Sequence, residues 1–417
     1  MPKITKFKGI RNTTTPDRFK VGELVSCQNL DIDNSERIQT RLGQTLLQDM
    51  PGSHSVWSFG TLCLFVCNAT LYRLLPDLTT QVIKVLKSNA PMCFEFDSVG
   101  TAYYSNGIDL GRVVNGVYSC WGVPVPSAQP TATATGGSMP AGTYLYALTN
   151  VRADGLEGGT GVAGSITLTS TGGIQFANIA VDPNPEVSGK MLYLSTPDGE
   201  VMYRAVLMLN DTTSYLYQGD TTDLTVPLAT QFVTPPPAGH ILDIFNGSMY
   251  VCKGGLAWRS DPYAYETFRP TSFLQFPGLL TMFMGLNQSV WVSTDQDRVF
   301  HFKDDVWMYG HEAVKAQSME VDASAAVLGT AVKTTMAALA KEDVTEEGGA
   351  QDRQVVMWAS SRGIYVGDEG GTATNLTETM VSIGGAPLGA AMIRSLRGYT
   401  QYLCTLQAAE AATNVAA

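Results

Sequence analysis

Short apolar runs recur along the chain, each broken by Gly, Asn or Asp. Trp57–Cys67 leads into Thr70–Arg73, and about forty residues later comes Phe96–Tyr104. The pattern returns at Ile244–Cys252 and Leu256–Arg259, at Met284–Gly285 with Ser289–Ser293 and Arg298–Phe302, and at Val355–Ala359 with Arg362–Val366. Each unit reads as an apolar strand, a Gly turn, an apolar strand ending in an aromatic residue, a short turn and an aromatic strand. A spacing of about forty residues is the length of one four-stranded propeller blade, which must stack on neighbours to cover both faces. The pattern predicts an all-β fold: a β-propeller of about five to six blades. Val327–Ala340 with Gln354–Ala359 reads as one blade, with a polar loop Glu342–Gln351 at its edge.

Residues 124–237 have a different texture. Pro124, Pro126 and Pro130 open the segment with a Thr/Ala/Gly linker through Gly137, and Pro235–Pro237 close it. Between these stiff borders lie strand candidates at Gly142–Arg152, Gly164–Ser170, Gly173–Ala180, Lys190–Thr196, Met202–Leu209 and Thr213–Gln218. Asp154-Gly155, Asp182-Pro183 and Asp198-Gly199 supply turn chemistry. About seven short strands in about a hundred residues predict an inserted immunoglobulin- or fibronectin-like β-sandwich. The expected organisation is 1–123, an N-terminal segment and the first blades; 124–237, the insertion; 238–407, the remaining blades; and 408–417, a flexible tail. Lys3–Phe7 is a candidate strand to seal the ring, with Tyr399–Leu406 its expected partner.

Composition supports strands over helices: 16% of the 417 residues are charged, while Gly, Thr, Ser and aromatics are plentiful. The net charge of −11 argues against a phosphate-gripping surface. The dense basic stretch Lys3, Lys6, Lys8 and Arg11 reads more simply as a solvated arm. Seven cysteines, an odd number without a C-x-x-C pair, read as buried free thiols made in a reducing compartment. Cys63 and Cys67 fall on one side of a strand. The first residues lack the apolar core of a signal peptide, and no apolar run reaches the ~18–20 residues that span a bilayer. The expectation is synthesis in the cytoplasm and no membrane-spanning segment.

Tests for chemistry yield no catalytic, cofactor-binding or metal residues, and the chain is expected not to be an enzyme. Ser293–Phe300 approaches a sialidase Asp-box, S/T-x-D-x-G-x-x-W/F, but Asp297 replaces the glycine, so it reads as a surface turn. Asp304 and Asp305 are adjacent, so in a strand they would point to opposite faces and would not by themselves form a glycosidase pair. Gly158–Gly161 and Gly370–Gly371 lack the lysine and helix of a phosphate loop and read as strand turns. His54, His240, His301 and His311 are scattered, without a nucleophile elbow or a metal-ligand cluster. Trp57, Trp258, Trp291 and Trp358 occupy repeated strand slots and read as packing rather than sugar-binding residues.

The opening is the most specific stretch. Phe7-Lys-Gly9-Ile10, then Pro16-Asp17-Arg18, then Gly22 to Gly43 follow the pattern G-E-x-x-x-x-x-N-h-D-h-D-x-x-G-R-h-x-x-R-x-G. This resembles the start of the tail nozzle (tail hub) proteins of short-tailed bacteriophages, the packaged-DNA stabilization proteins among them. It departs at Glu36, where glycine is usual, and at Leu42, where proline is common. The Pro140–Tyr144 start of the insertion and the Arg259-Ser-Asp-Pro262 turn are similar as well. The resemblance implies a virion tail protein, one subunit of a homohexameric ring below the portal and adaptor. Its neighbours would be the head-to-tail adaptor, tail fibres or tailspikes, and a plug or needle. Double-stranded DNA would pass through without sequence-specific binding, held until infection and then ejected. The alternatives are a generic binding propeller and a carbohydrate-active propeller enzyme.

Overall fold

The computed structural model describes residues 6–32, 35–41, 43, 45–46, 48–303, 320–335, 354–378, 380–396 and 399–407. Their secondary structure is β, apart from one 3-10 turn at Pro16–Arg18. Expectations for Lys3, Asp304, Asp305, His311, Glu342–Gln351 and Ala408–Ala417 fall outside the described residues.

Five antiparallel meanders of four strands form the frame among the described residues. Meander 1 comprises Ser53–Phe59, Leu62–Cys67, Thr70–Leu74 and Thr80–Val85, and meander 2 Cys93–Phe96, Thr101–Ser105, Leu110–Val114 and Val117–Ser119. Meander 3 is Ile241–Phe245, Ser248–Lys253, Leu256–Asp261 and Ala264–Gln275. Meander 4 is Leu280–Gly285, Ser289–Thr294, Arg298–Lys303 and Glu320–Val321, and meander 5 Val332–Thr335, Gln354–Ser360, Gly363–Gly367 and Ala373–Asn375. A two-stranded pair, Gly389–Leu396 with Tyr399–Leu406, packs against the first strand of meander 5.

The side-chain period of two explains the stacking. In meander 2, Tyr104 packs with Leu64, Val66 and Leu71 of meander 1, while Tyr103 packs with Leu242 and Met249 of meander 3. In meander 3, Tyr250 and Cys252 turn instead toward Phe283 and Val292 of meander 4. In meander 4, Trp291 turns the other way and packs on Trp358 of meander 5, ring centroids 5.7 Å apart. Every inner meander is therefore covered on both faces. That is why strands such as Ser289–Thr294 are buried throughout rather than alternating. The first strands lie together at the centre, giving a propeller-like frame.

Between meanders 2 and 3, residues 131–217 form a three-stranded and a five-stranded sheet around one shared core. Gly142–Arg152 and Met202–Leu209 occur as the sequence predicts. Thr131–Met139 is a correction: the Thr/Ala/Gly stretch read as linker is a strand paired with Gly172–Ala177. Its small residues carry little apolar signal, yet the backbone ladder needs none. Gly158–Gly159 is another: it lies in the strand Glu157–Thr160, not in a turn. Gly159 is required there because a Cβ would stand 1.7 Å from the Val233 carbonyl oxygen.

The two connectors run side by side at Gly122. Its φ is +82°, and a Cβ would meet Pro236 Cδ at 2.6 Å. Gly122→Ala is expected to lower stability by about 1–3 kcal/mol, through left-handed strain and overpacking. Thermal denaturation checks it; an unchanged Tm would mean that the connectors part freely.

Candidate functional site

Charged side chains converge at the axis from three first strands, those of meanders 2 and 3 otherwise apolar. Asp243 of meander 3 is buried; its carboxylate accepts the Gly285 N–H of meander 4 at 2.5 Å and the Lys333 ammonium of meander 5 at 2.5 Å. Lys333 reaches it past meander 4, so one carboxylate ties three meanders. Glu95 of meander 2 feels both charges. Burial, then Asp243, pushes its carboxyl up to about 7, against the pull of Lys333. Burial also raises Asp243, opposed by Lys333. Burial draws the Lys333 ammonium down, but Asp243 and Glu95 hold it above its ordinary value. Cys93 and Cys252 lie nearby, and burial pushes Cys93 to about 12 and raises Cys252, leaving both as inert thiols.

Glu95 carries a definite cost. The folded chain holds a proton that the unfolded chain releases above about pH 4.5, so stability falls as pH rises from about 4.5 to about 7. The loss over that window is roughly 3 kcal/mol. Glu95→Gln is expected to leave stability at pH 4 unchanged and raise it by roughly 2–3 kcal/mol at pH 8. Urea denaturation at the two pH values checks this; equal effects at both would show that Glu95 is not held protonated.

A second polar cluster joins the insertion to the frame. The buried Arg152 guanidinium makes two bonds to Glu266 of meander 3, at 2.6 and 2.9 Å, and two to Asp154, at 2.9 and 2.7 Å. It also donates to the Cys120 carbonyl. Arg112 of meander 2 shares Glu266 at 2.5 Å, and Glu266 accepts the Gly122 N–H. Glu186 of the insertion accepts from the Cys120 N–H and the Ser119 hydroxyl, both at 2.6 Å. Hydrogen bonding from Arg152 holds the Asp154 carboxyl down at about 2 despite partial burial.

The opening segment joins the two ends of the described chain. Leu30–Ile32 pairs with Ile38–Thr40 across a turn in which Glu36 has φ +60°. The position where glycine is usual is thus left-handed, and Glu36 occupies it under strain. Asp31 receives Arg41 at 2.9 and 3.0 Å and faces Arg394 at 3.4 Å. The Asn12 side chain exchanges two 2.7 Å bonds with the Ser382 backbone. Tyr399–Leu406 pairs with Gly389–Leu396 alone among the described strands; of the expected sealing strand Lys3–Phe7, Phe7 donates its N–H to the Glu36 carbonyl instead, and residues 3–5 lie outside the described residues.

The remaining sequence candidates make packing contacts and hydrogen bonds within the described residues. Asp297 has φ +56° in the glycine slot of the Asp-box-like turn. Its carboxylate accepts from Ser324 Oγ, the Ala325 N–H and Arg362, tying meanders 4 and 5. Trp291 and Trp358 are fully buried, Trp57 stacks on Phe94, and Trp258 packs on Phe273. His240 bonds the Leu280 carbonyl, His54 contacts Ser55 and Asn89, and His301 packs on Trp291. Among the described residues no three His, Cys, Asp or Glu side chains are placed to hold a metal, and no helix is long and apolar enough to cross a membrane. All seven cysteines are free. Sequence reasoning missed the axial and junction clusters.

No family model matches the chain, and no curated protein matches it. Among solved structures, the chain is similar to a streptogramin B lyase (10% identity, TM-score 0.32, covering 87% of this chain and 96% of the lyase). Virginiamycin B lyase from Staphylococcus aureus aligns at 10% identity and TM-score 0.31, covering 86% and 96%. Hsv2 from Kluyveromyces lactis aligns at 10% identity and TM-score 0.24, covering 86% and 87%. Likenesses this distant assign neither an activity nor a partner to this chain.

Proposed function

We propose that this chain is a non-enzymatic subunit of the tail nozzle of a short-tailed bacteriophage. The opening pattern from Phe7 to Gly43 carries the reading. In this reading the frame is a propeller of five complete blades, with the N-terminal and C-terminal hairpins at a sixth place. An immunoglobulin- or fibronectin-like sandwich interrupts it after the second blade. A homohexameric ring continues the DNA channel below the portal and adaptor, and carries fibres or tailspikes at its side and a plug or needle below.

Several features support the reading. Asp31 in the opening pattern pairs with both Arg41 and Arg394, so the motif has a part in joining the chain ends. The Asp243 carboxylate is spent on an ion pair with Lys333 and a main-chain bond from Gly285 rather than presented to a substrate. The net charge of −11 gives a weakly repulsive wall past which DNA slides. Particles assembled without this chain are expected to package DNA and then lose it, measured as nuclease-sensitive genome in purified heads. Heads that keep their genome without the chain would overturn the proposal.

A further inference from the structure

Two exposed strand edges have unlike positions and opposite charge. One is the outer edge of meander 1, Thr80–Val85, which pairs only with Thr70–Leu74 among the described strands. It exposes Val82 and Val85 (71% exposed), flanked by the exposed Lys84 and Lys87. Residues 51–90 hold three basic side chains and one acidic one. The other edge is the second half of Met202–Leu209 in the insertion. Gly189–Ser195 covers one side of this strand, and residues 226–228 cover the other only as far as Arg204. Beyond that point the Leu207 and Leu209 (70% exposed) side chains face outward, the Leu209 carbonyl accepts the Thr212 N–H of the following turn, and the exposed Asp211 comes next. Residues 124–237 hold nine acidic side chains against three basic ones.

An open strand edge with apolar side chains is a template for pairing with another chain. The main-chain donors and acceptors supply affinity, and the side chains flanking them supply specificity. Here each edge offers two aliphatic residues, and the charges beside them are of opposite sign. We infer that Leu207–Leu209 of one copy docks on Val82–Val85 of a second copy, joining subunits head to tail. Such a contact is heterologous and leaves each copy with one edge free for the next. The inference rests on the ring-forming role proposed above and names the surfaces that would make it.

The test uses the full chain in sedimentation velocity. One variant carries Val82→Glu and Val85→Glu, the other Leu207→Glu and Leu209→Glu. All four side chains are exposed, so both variants are expected to fold with Tm unchanged within about 3 °C. The wild type is expected to self-associate, and each variant alone to do so at least about tenfold more weakly. Mixing the two variants is expected to restore a one-to-one dimer and nothing larger, since each retains one intact edge. Added salt is expected to weaken that dimer. Self-association of the wild type that neither variant weakens would overturn these surfaces and leave the nozzle reading intact. A monomeric wild type at all concentrations, with and without the adaptor, would overturn both.

Discussion

Arg152→Met is expected to lower stability by about 3–5 kcal/mol, the cost of stranding a buried charge. The guanidinium is 4% exposed and answers Glu266, Asp154 and the Cys120 carbonyl at once. Its removal leaves Glu266 with Arg112 and the Gly122 N–H only. Arg152→Lys is not expected to rescue, because an ammonium cannot make two forked carboxylate pairs. The insertion should then loosen before the frame does. Calorimetry is expected to show two transitions where the wild type has one, and limited proteolysis new cuts near residues 124–130 and 234–237. The Asp154 contribution is present above about pH 4 and is lost as pH falls toward about 2. A single transition and a loss under 1 kcal/mol would show that the connectors alone fix the insertion.

The second large effect is expected at the axis. Lys333→Met removes the cation facing Asp243 and Glu95 and leaves the buried Asp243 carboxyl beside the half-buried Glu95 carboxyl. The expected loss is about 3–5 kcal/mol at pH 8. It shrinks at pH 5, because both carboxyls are raised further without the lysine and take up protons there. Stability therefore falls more steeply with rising pH in the variant than in the wild type. Adding Asp243→Asn should recover much of the loss. Urea denaturation between pH 5 and pH 8 checks both statements. A loss independent of pH would reduce Lys333 to a packing role.

The frame was legible because its signal is local. Each meander repeats an apolar strand, a tight turn and an aromatic strand, and stacking on both faces keeps even inner positions apolar. Strand ends in the insertion were legible where large apolar residues alternate, as at Gly142–Arg152. Thr131–Met139 was not, since a strand of small residues looks like a linker until its partner at Gly172–Ala177 is placed. The axial cluster was hidden for a different reason. Glu95, Asp243 and Lys333 belong to three repeats far apart in the chain, and only the closing of the frame brings them together. A signal was available: Cys-Phe-Glu95-Phe and Ile-Leu-Asp243-Ile-Phe each hold a single charge inside an apolar first strand. A lone charge at the same slot of several repeats marks a shared axis. Arg152 carried a similar mark, a cation closing a long apolar strand, but its partner Glu266 lies beyond the insertion.

Electron microscopy of the purified protein mixed with a phage head-to-tail adaptor decides the nozzle reading. The expected result is a six-fold tube coaxial with the adaptor, each subunit showing a propeller with one side domain. A persistent monomer in the presence of adaptor would contradict it.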